Sequence, residues 1–170
     1  MFTRPSFALL LIALILPASA QAAPTLIGTF GDWEAYTAKE NGDQICYMGS
    51  EPKKQEGKYA KRGRVVMLVT HRPKDKETGV VSVTAGYTFK KDGVAKATIG
   101  DQTFEMFTSG EHAFVEEGRD PDLVKAMIRG AGMVITGTSA RGTLTTDTYS
   151  LKGFTAAWNA IGTACTVQKK

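Results

Sequence analysis

Apolar and polar residues alternate along much of the chain after residue 20, a pattern typical of strands with one buried face. Near the middle of the chain, the alternation places Val81, Val83 and Phe89 on one face and Ser82 and Thr84 on the other. Similar runs recur along the sequence. They predict strands at residues 29–39, 43–50, 64–72, 80–90, 94–99, 102–108, 132–138 and 143–149.

Three dipeptides between these runs carry turn chemistry: Asn41-Gly42, Asp92-Gly93 and Gly100-Asp101. Asn, Asp and Gly tolerate the positive φ angles that two-residue hairpin turns require. We therefore expect antiparallel hairpins at all three positions.

Two segments have helical spacing instead. The first is predicted from Asp120 to Gly130, because an Asp-Pro-Asp sequence supplies a cap, a proline in the first turn and acidic residues at the N-terminus. The second is predicted from Gly153 to Ile161, where Trp158 lies on an apolar stripe. Trp158 is accordingly expected to pack in the core.

The density of short strands, the hairpin turns and the lack of alternating strand and helix units favour one mainly β domain over residues 21–170. We expect an antiparallel β-sandwich with two short helices. An antiparallel β-barrel is the alternative.

The first twenty residues have the organisation of a secretory signal peptide. Arg4 is followed by an apolar run at residues 7–16, and small residues then lead to Ala20. The run is about half as long as a membrane-spanning helix, so a retained anchor is the weaker interpretation. We predict cleavage after Ala20 or Ala22 and a periplasmic location, with outer-membrane association or secretion as alternatives.

The chain has two cysteines, Cys46 and Cys165, and the predicted export would place them in an oxidising compartment. Two lone cysteines in an oxidising compartment usually pair with each other, so a disulfide is predicted. Two free buried thiols are the alternative.

The formal net charge is +4 at pH 7, and it falls to about +3 if Arg4 leaves with the leader. Much of the basic character lies in the polar segment 51–64. The candidate anion-binding residues there are Lys53, Lys54, Lys58, Lys61, Arg62 and Arg64. After export, the available partners would be lipid headgroups, anionic glycans and envelope or host proteins, whereas nucleic acid is not expected. A solvated connection that protects a sheet edge is the alternative.

The sequence carries no recognisable signature of catalysis. The sequence has no Gly-x-Ser-x-Gly elbow, and His71 and His112 have no metal-binding spacing. The segment 132–139 superficially resembles a phosphate-binding loop, but Thr138 stands where that loop needs lysine. We therefore predict no catalytic residue, no metal and no cofactor. A small periplasmic hydrolase with an unrecognised site is the alternative.

Two blocks of sequence resemble the invasion-associated locus B family: Phe30-Gly31-Asp32-Trp33, and residues 147–157 followed by Ile161 and Cys165. The resemblance covers essentially all of residues 21–170. It implies a periplasmic or surface-associated protein of Gram-negative bacteria, with an immunoglobulin-like sandwich and no established enzymatic activity. Many longer members carry a further cysteine soon after Gly-Asp-Trp, which this chain lacks. The function expected is a binding or interaction module of unknown ligand.

Overall fold

The computed structural model describes residues 23–167, so the predicted signal peptide lies outside the described residues. The strands are β1 Thr25–Phe30, β2 Trp33–Glu40, β3 Asp43–Ser50, β4 Lys54–Gly57, β5 Val66–Arg72, β6 Glu77–Thr84, β7 Val94–Ile99, β8 Gln102–Ser109, β9 His112–Val115, β10 Gly132–Thr138 and β11 Leu144–Ser150. The helices are α1 Asp120–Arg129 and α2 Phe154–Ala164.

These strands form one antiparallel sheet with the order β1-β2-β3-β5-β6-β9-β8-β7-β10-β11-β4. Its outermost strands are β1 and β4, so the sheet is not closed into a barrel. The prediction of a mainly β, antiparallel fold with two helices is confirmed. The barrel alternative is wrong.

The sheet folds over so that its two halves share one core. Trp33 on β2 donates its indole N–H to the carbonyl oxygen of Ser150 on β11 at 3.0 Å, although these strands lie far apart in the sheet order. Inward-facing methionines from both halves belong to the same buried cluster, including Met48, Met106 and Met133. Two layers therefore arise from one bent sheet.

Two of the three predicted hairpins are confirmed. Asn41 and Gly42 join β2 to β3, and Gly100 lies in the turn between β7 and β8. The hairpin expected at Asp92 is wrong, because β6 ends at Thr84 and β7 pairs with β8 and β10 instead. Asp92 does have a positive φ of 56°, so the local turn forms without the pairing.

Helix α2 packs against β1, β2 and β3 and closes one side of the core. The disulfide Cys46–Cys165 fixes its C-terminal end to β3, which confirms the predicted pairing across 119 residues. Trp33 is fully buried beneath this helix and meets the ring of Phe154 edge to face at 5.0 Å. Trp158, by contrast, packs against the core but is only partly buried.

Candidate functional site

The six basic residues proposed from the sequence do not form one continuous strip. Lys53 and Arg64 line an open cleft on the outer face of β2 and β3. Lys54 lies on edge strand β4 and pairs with Glu56 at 2.9 Å. Lys58 and Lys61 are exposed in the segment after β4.

The side chain of Arg62 is buried and has a structural role in the fold. Its guanidinium makes two hydrogen bonds of 2.6 Å to the carboxylate of Asp147, and its Nε donates to the carbonyl oxygen of Ala85 at 2.7 Å. The rings of Tyr59 and Tyr87 flank the guanidinium at 5.5 and 5.0 Å. Although burial alone lowers the pKa of Arg62, the hydrogen bonds and charge of Asp147 raise it overall. All of this leaves Arg62 permanently charged and unavailable to a surface ligand.

The open cleft, which we call the tyrosine cleft, has a volume of about 580 Å³. It is lined by Pro24, Gly31, Asp32, Glu34, Tyr36, Tyr47, Gly49, Ser50, Glu51, Lys53, Arg64 and Val66. Tyr36 and Tyr47 are direct cross-strand partners, and their rings stack with centroids 5.3 Å apart and planes inclined by 18°. They project outward because the neighbouring positions, Ala35 and Cys46, face the core. An aromatic pair thus stands in the cleft between charged side chains.

The charges in the tyrosine cleft are already paired. Lys53 forms an ion pair with Asp32, and Arg64 donates from Nε to Glu51 at 2.8 Å. The hydroxyl of Tyr36 donates to Glu34 at 2.5 Å. The cleft therefore holds two cations and three carboxylates, each fixed by a specific partner.

These contacts move the titrations of the cleft away from neutral pH. Hydrogen bonds from Lys53 and Ser150 lower the pKa of Asp32, so this carboxylate stays ionised. The hydrogen bond to Glu34 raises the pKa of Tyr36, so this phenol stays neutral. An acid or base that works near pH 7 needs a pKa near 7, and neither group is shifted in that direction.

Sequence reasoning missed the tyrosine pair, although a signal for it was present. A two-residue loop at Asn41 and Gly42 fixes the register of the hairpin, so residues equally distant from the turn must face each other. Tyr36 and Tyr47 are such a pair. Of the residues that line this cleft, the predicted basic segment identified only Lys53 and Arg64.

Two further properties concern the described residues alone. Between residues 23 and 167, no three His, Cys, Asp or Glu side chains are grouped in a way that could hold a metal ion. No helix in that range is long and apolar enough to cross a membrane.

Comparison with known proteins decides the family. The sequence model of the family described as invasion associated locus B (IalB) protein matches residues 33–162, which is most of the chain. The chain belongs to the IalB family. A search among curated proteins gives no significant match.

A solved structure of similar fold is the invasion associated protein b from Bartonella henselae. It is 19% identical, with a TM-score of 0.55 over 84% of this chain and 97% of that one. At this identity the likeness concerns the fold. The IalB match includes Tyr36, Tyr47, Lys53 and Arg64, and hence most of the tyrosine cleft.

Proposed function

We propose that this IalB-family chain is an exported, non-enzymatic binding protein of the bacterial envelope, and that its tyrosine cleft binds an anionic glycan. The observation that carries the proposal is the stacked pair Tyr36 and Tyr47 with Lys53 and Arg64 in the same cleft. Aromatic rings with a polar end suit partly apolar sugar faces. Cationic side chains form strong hydrogen bonds to sulfate or carboxylate groups.

Export is supported by two independent features. The sequence of residues 1–20 has the charge, apolar run and small residues of a signal peptide. The disulfide Cys46–Cys165 is of a kind that persists in oxidising compartments. We place the protein in the periplasm or at the cell surface, where glycans are available.

An anionic ligand has to compete with the carboxylates that now hold the two cations. Glu51 and Arg64 are well suited to such an exchange, because their side chains are 59% and 76% exposed. Exposed ion pairs contribute little to stability, so replacing Glu51 by a ligand sulfate costs the fold little. Lys58 and Lys61 are exposed nearby in sequence and add long-range attraction for an anion.

A small periplasmic hydrolase remains without a supporting observation. The pKa shifts in the tyrosine cleft keep Asp32 charged and Tyr36 neutral, which suits binding and not proton transfer. The IalB family is also not a known enzyme family.

The proposal is tested by titrating residues 21–170 with heparin, a sulfated glycan, at about 50 mM and about 500 mM salt, where charge screening differs strongly. Replacing Lys53 and Arg64 together by Gln should weaken binding at low salt by about tenfold or more. The matched control replaces Lys90 and Lys91, two exposed lysines at another turn, by Gln. An equal loss in the control would reduce the effect to net charge and contradict the proposal.

Glu51→Gln gives a sharper test, because it removes the carboxylate that competes for Arg64. We expect tighter heparin binding in this variant, and no change in Glu105→Gln, whose partner is Lys96 on another strand pair. Vesicles of phosphatidylglycerol form a second arm of the titration. Binding to these vesicles without binding to heparin would assign a lipid headgroup and overturn the glycan proposal.

A further inference from the structure

Strand β1 lies at one edge of the sheet and is open to a further strand. It pairs with β2 on one side only, so some of its backbone N–H and C=O groups point away from the sheet. Leu26 and Ile27 on this strand are 52% and 38% exposed. Ile27 has no cross-strand partner on β2, because the register shifts between Leu26 and Gly28. An edge strand with exposed apolar side chains is a template for pairing with another chain.

The other edge strand, β4, carries features that prevent such pairing. It has four residues, and two of them are charged and form an ion pair, Lys54 with Glu56 at 2.9 Å. Short edges and charged side chains, lysine above all, discourage the addition of a strand. No residue of β1 is charged. The chain therefore protects one edge of its sheet and leaves the other open.

The helix that packs on β1 lacks charged residues as well. Neither residues 23–31 nor residues 153–167 include a charged side chain, although 22% of the residues in the chain are charged. Helix α2 lies against β1, and its exposed residues are Thr155, Ala156 and Thr163. Depletion of charge is typical of the centre of a protein–protein interface. Two segments distant in sequence thus contribute uncharged residues to the same end of the molecule.

We propose that β1 pairs antiparallel with β1 of a second copy of this chain, so that two sheets join into one. The chain has a formal net charge of +4, so an interface between copies has to avoid opposing cations. An uncharged strand meets an identical strand without like charges opposite each other. Two-fold symmetry, the commonest in homo-oligomers, then supplies a backbone partner to the open edge of both copies.

A lipid surface fits this edge less well than a second strand. Lipid offers no hydrogen-bond partner to the open N–H and C=O groups of an edge strand, and such edges do not occur in the hydrocarbon region. Helices that lie on membranes carry lysine or arginine on their polar face, whereas α2 has neither. The occupant that satisfies both the backbone and the lack of charge is another β-strand.

Pairing through β1 continues a row of side chains that begins in the tyrosine cleft. Leu26 is the cross-strand partner of Tyr36, which in turn is the partner of Tyr47. Direct partners in an antiparallel pair project to the same face, so Leu26 ends this row on the outer face of the sheet. In the two-fold pair, both rows lie on one face and approach each other at β1. A glycan long enough to reach both clefts would bind bivalently, a consequence that rests on the proposed function, whereas the dimer itself does not.

The dimer is tested by sedimentation of residues 21–170 without any glycan. One strand pair with its flanking helices forms a small interface, so we expect a weak, reversible dimer. The mean mass should rise from that of a monomer at about 10 μM toward that of a dimer at about 1 mM. A chain that stays monomeric up to about 1 mM would overturn the proposal, and would leave this edge to a strand of a different protein.

Two matched variants separate the edge from net charge. Leu26→Lys places a cation on β1 and, by symmetry, a second one close to it in the dimer, so the dissociation constant should rise by about tenfold or more. Leu144→Lys is the control, because Leu144 is 63% exposed and lies on β11. Both substitutions change the charge equally at an exposed leucine. An equal loss of association in the two variants would contradict pairing through β1.

Hydrogen exchange locates the contact in the unmodified chain. The amides of β1 should exchange about threefold more slowly at about 1 mM than at about 10 μM, since a partner strand covers them in the dimer. The amides of β4, the other edge, should exchange equally at both concentrations. In Leu26→Lys the slowing at β1 should disappear. Slowing at β4 or at another strand, with none at β1, would place the interface elsewhere and refute the assignment.

Discussion

Two glycines explain at the residue scale why the blocks Phe30-Gly31-Asp32-Trp33 and 147–157 occur together. Gly31 has a φ of +61°, and an added Cβ would lie 2.6 Å from the carbonyl oxygen of Lys152. Gly153 has a φ of +92°, and its Cβ would overlap the carbonyl oxygen of Phe30. Between them, the N–H of Asp32 donates to the carbonyl oxygen of Lys152 at 3.0 Å. The first turn and the start of α2 therefore touch backbone to backbone.

Gly153→Ala should lower the free energy of unfolding by more than about 3 kcal/mol, because it adds a clash with fixed backbone to the cost of a left-handed residue. Gly142→Ala is the matched control. Gly142 has a φ of +83° but nothing within 4 Å of the added Cβ, so only about 1 to 2 kcal/mol is expected. Urea unfolding measures both. Equal losses of unfolding free energy in the two variants would show that the close approach of Phe30 to Gly153 does not add to the cost of the substitution.

His71 makes stability depend on pH in a predictable direction. Burial lowers its pKa from 6.5 to about 4. Between these values the unfolded chain binds the proton and the folded chain does not, so stability is full above pH 6.5 and falls as the pH drops toward 4. The loss reaches about 3 kcal/mol at the lower end. His71→Phe should remove this component, whereas replacement of the exposed His112 by Phe should retain it. Unfolding curves that fall equally in wild type and His71→Phe would disprove the shift.

At the scale of elements, the pattern of apolar and polar residues predicted the positions of most of the longer strands. The predicted bounds of β3, β7 and β10 agree with the structure, because each is a strand-prone run bounded by turn residues. The predicted strand 29–39 is two strands, β1 and β2, since Gly31 turns the chain inside the run. Short polar β4 and the four-residue β9 were missed. β4 becomes a strand through β11, which is distant in sequence, whereas β9 pairs with its neighbour β8 and with the more distant β6.

The start of α1 illustrates how tertiary contacts override a local rule. The Asp-Pro-Asp sequence correctly predicted the helix but assigned the cap to Asp120. The structure has Arg119 at the cap without a side-chain hydrogen bond, and Asp120 lies in the first turn. Its carboxylate instead accepts a hydrogen bond from the N–H of Val81 at 2.8 Å, which ties α1 to β6.

Arg62 explains how the segment after β4 is joined to β11. The basic segment alone could not reveal this role, because Asp147 is 85 residues away in sequence and lies beside Arg62 only in the folded chain, where β4 pairs with β11. The local sequence does not distinguish the roles of the six basic residues. The fold then buries one of them, places two in the tyrosine cleft and leaves the others on the surface.

Arg62→Ala should lower the free energy of unfolding by about 3 to 5 kcal/mol, because it leaves the carboxylate of Asp147 buried without a counter-charge. Lys61→Ala, one position away and exposed, should change it by less than about 0.5 kcal/mol. Urea unfolding of the double variant Arg62→Ala, Asp147→Ala completes the cycle. Its loss should be smaller than the sum of the single losses, and simple additivity would show that the two side chains are not coupled.

At the scale of the whole molecule, the order of the strands in the sheet could not be predicted from the sequence. Hairpins follow from turn chemistry, but β6 with β9, β7 with β10 and β4 with β11 pair across long stretches of chain. Nothing local specifies which strands meet, because most of them share the same alternation. The single bent sheet results from satisfying these distant pairings around one core.

The disulfide constrains this architecture as a whole. It joins β3 to the end of α2 over 119 residues and so closes most of the described chain into one loop. In the chain-entropy account, a loop of this length restricts the unfolded state by about 4 to 5 kcal/mol. The same bond fixes the start of the segment after α2, since Thr166 and Val167 follow Cys165 directly.

Replacing Cys46 and Cys165 together by Ala should therefore lower the free energy of unfolding by about 4 kcal/mol and disturb the Trp158 indole signal more than that of Trp33. Trp33 is anchored to Ser150 inside the core, whereas Trp158 lies near the released helix end. Purified oxidised protein should show no thiol in denaturant before reduction, because each cysteine has its partner in the same chain. Two reactive thiols in that protein, or unchanged stability in the double variant, would show that the covalent link does not hold α2 against the sheet.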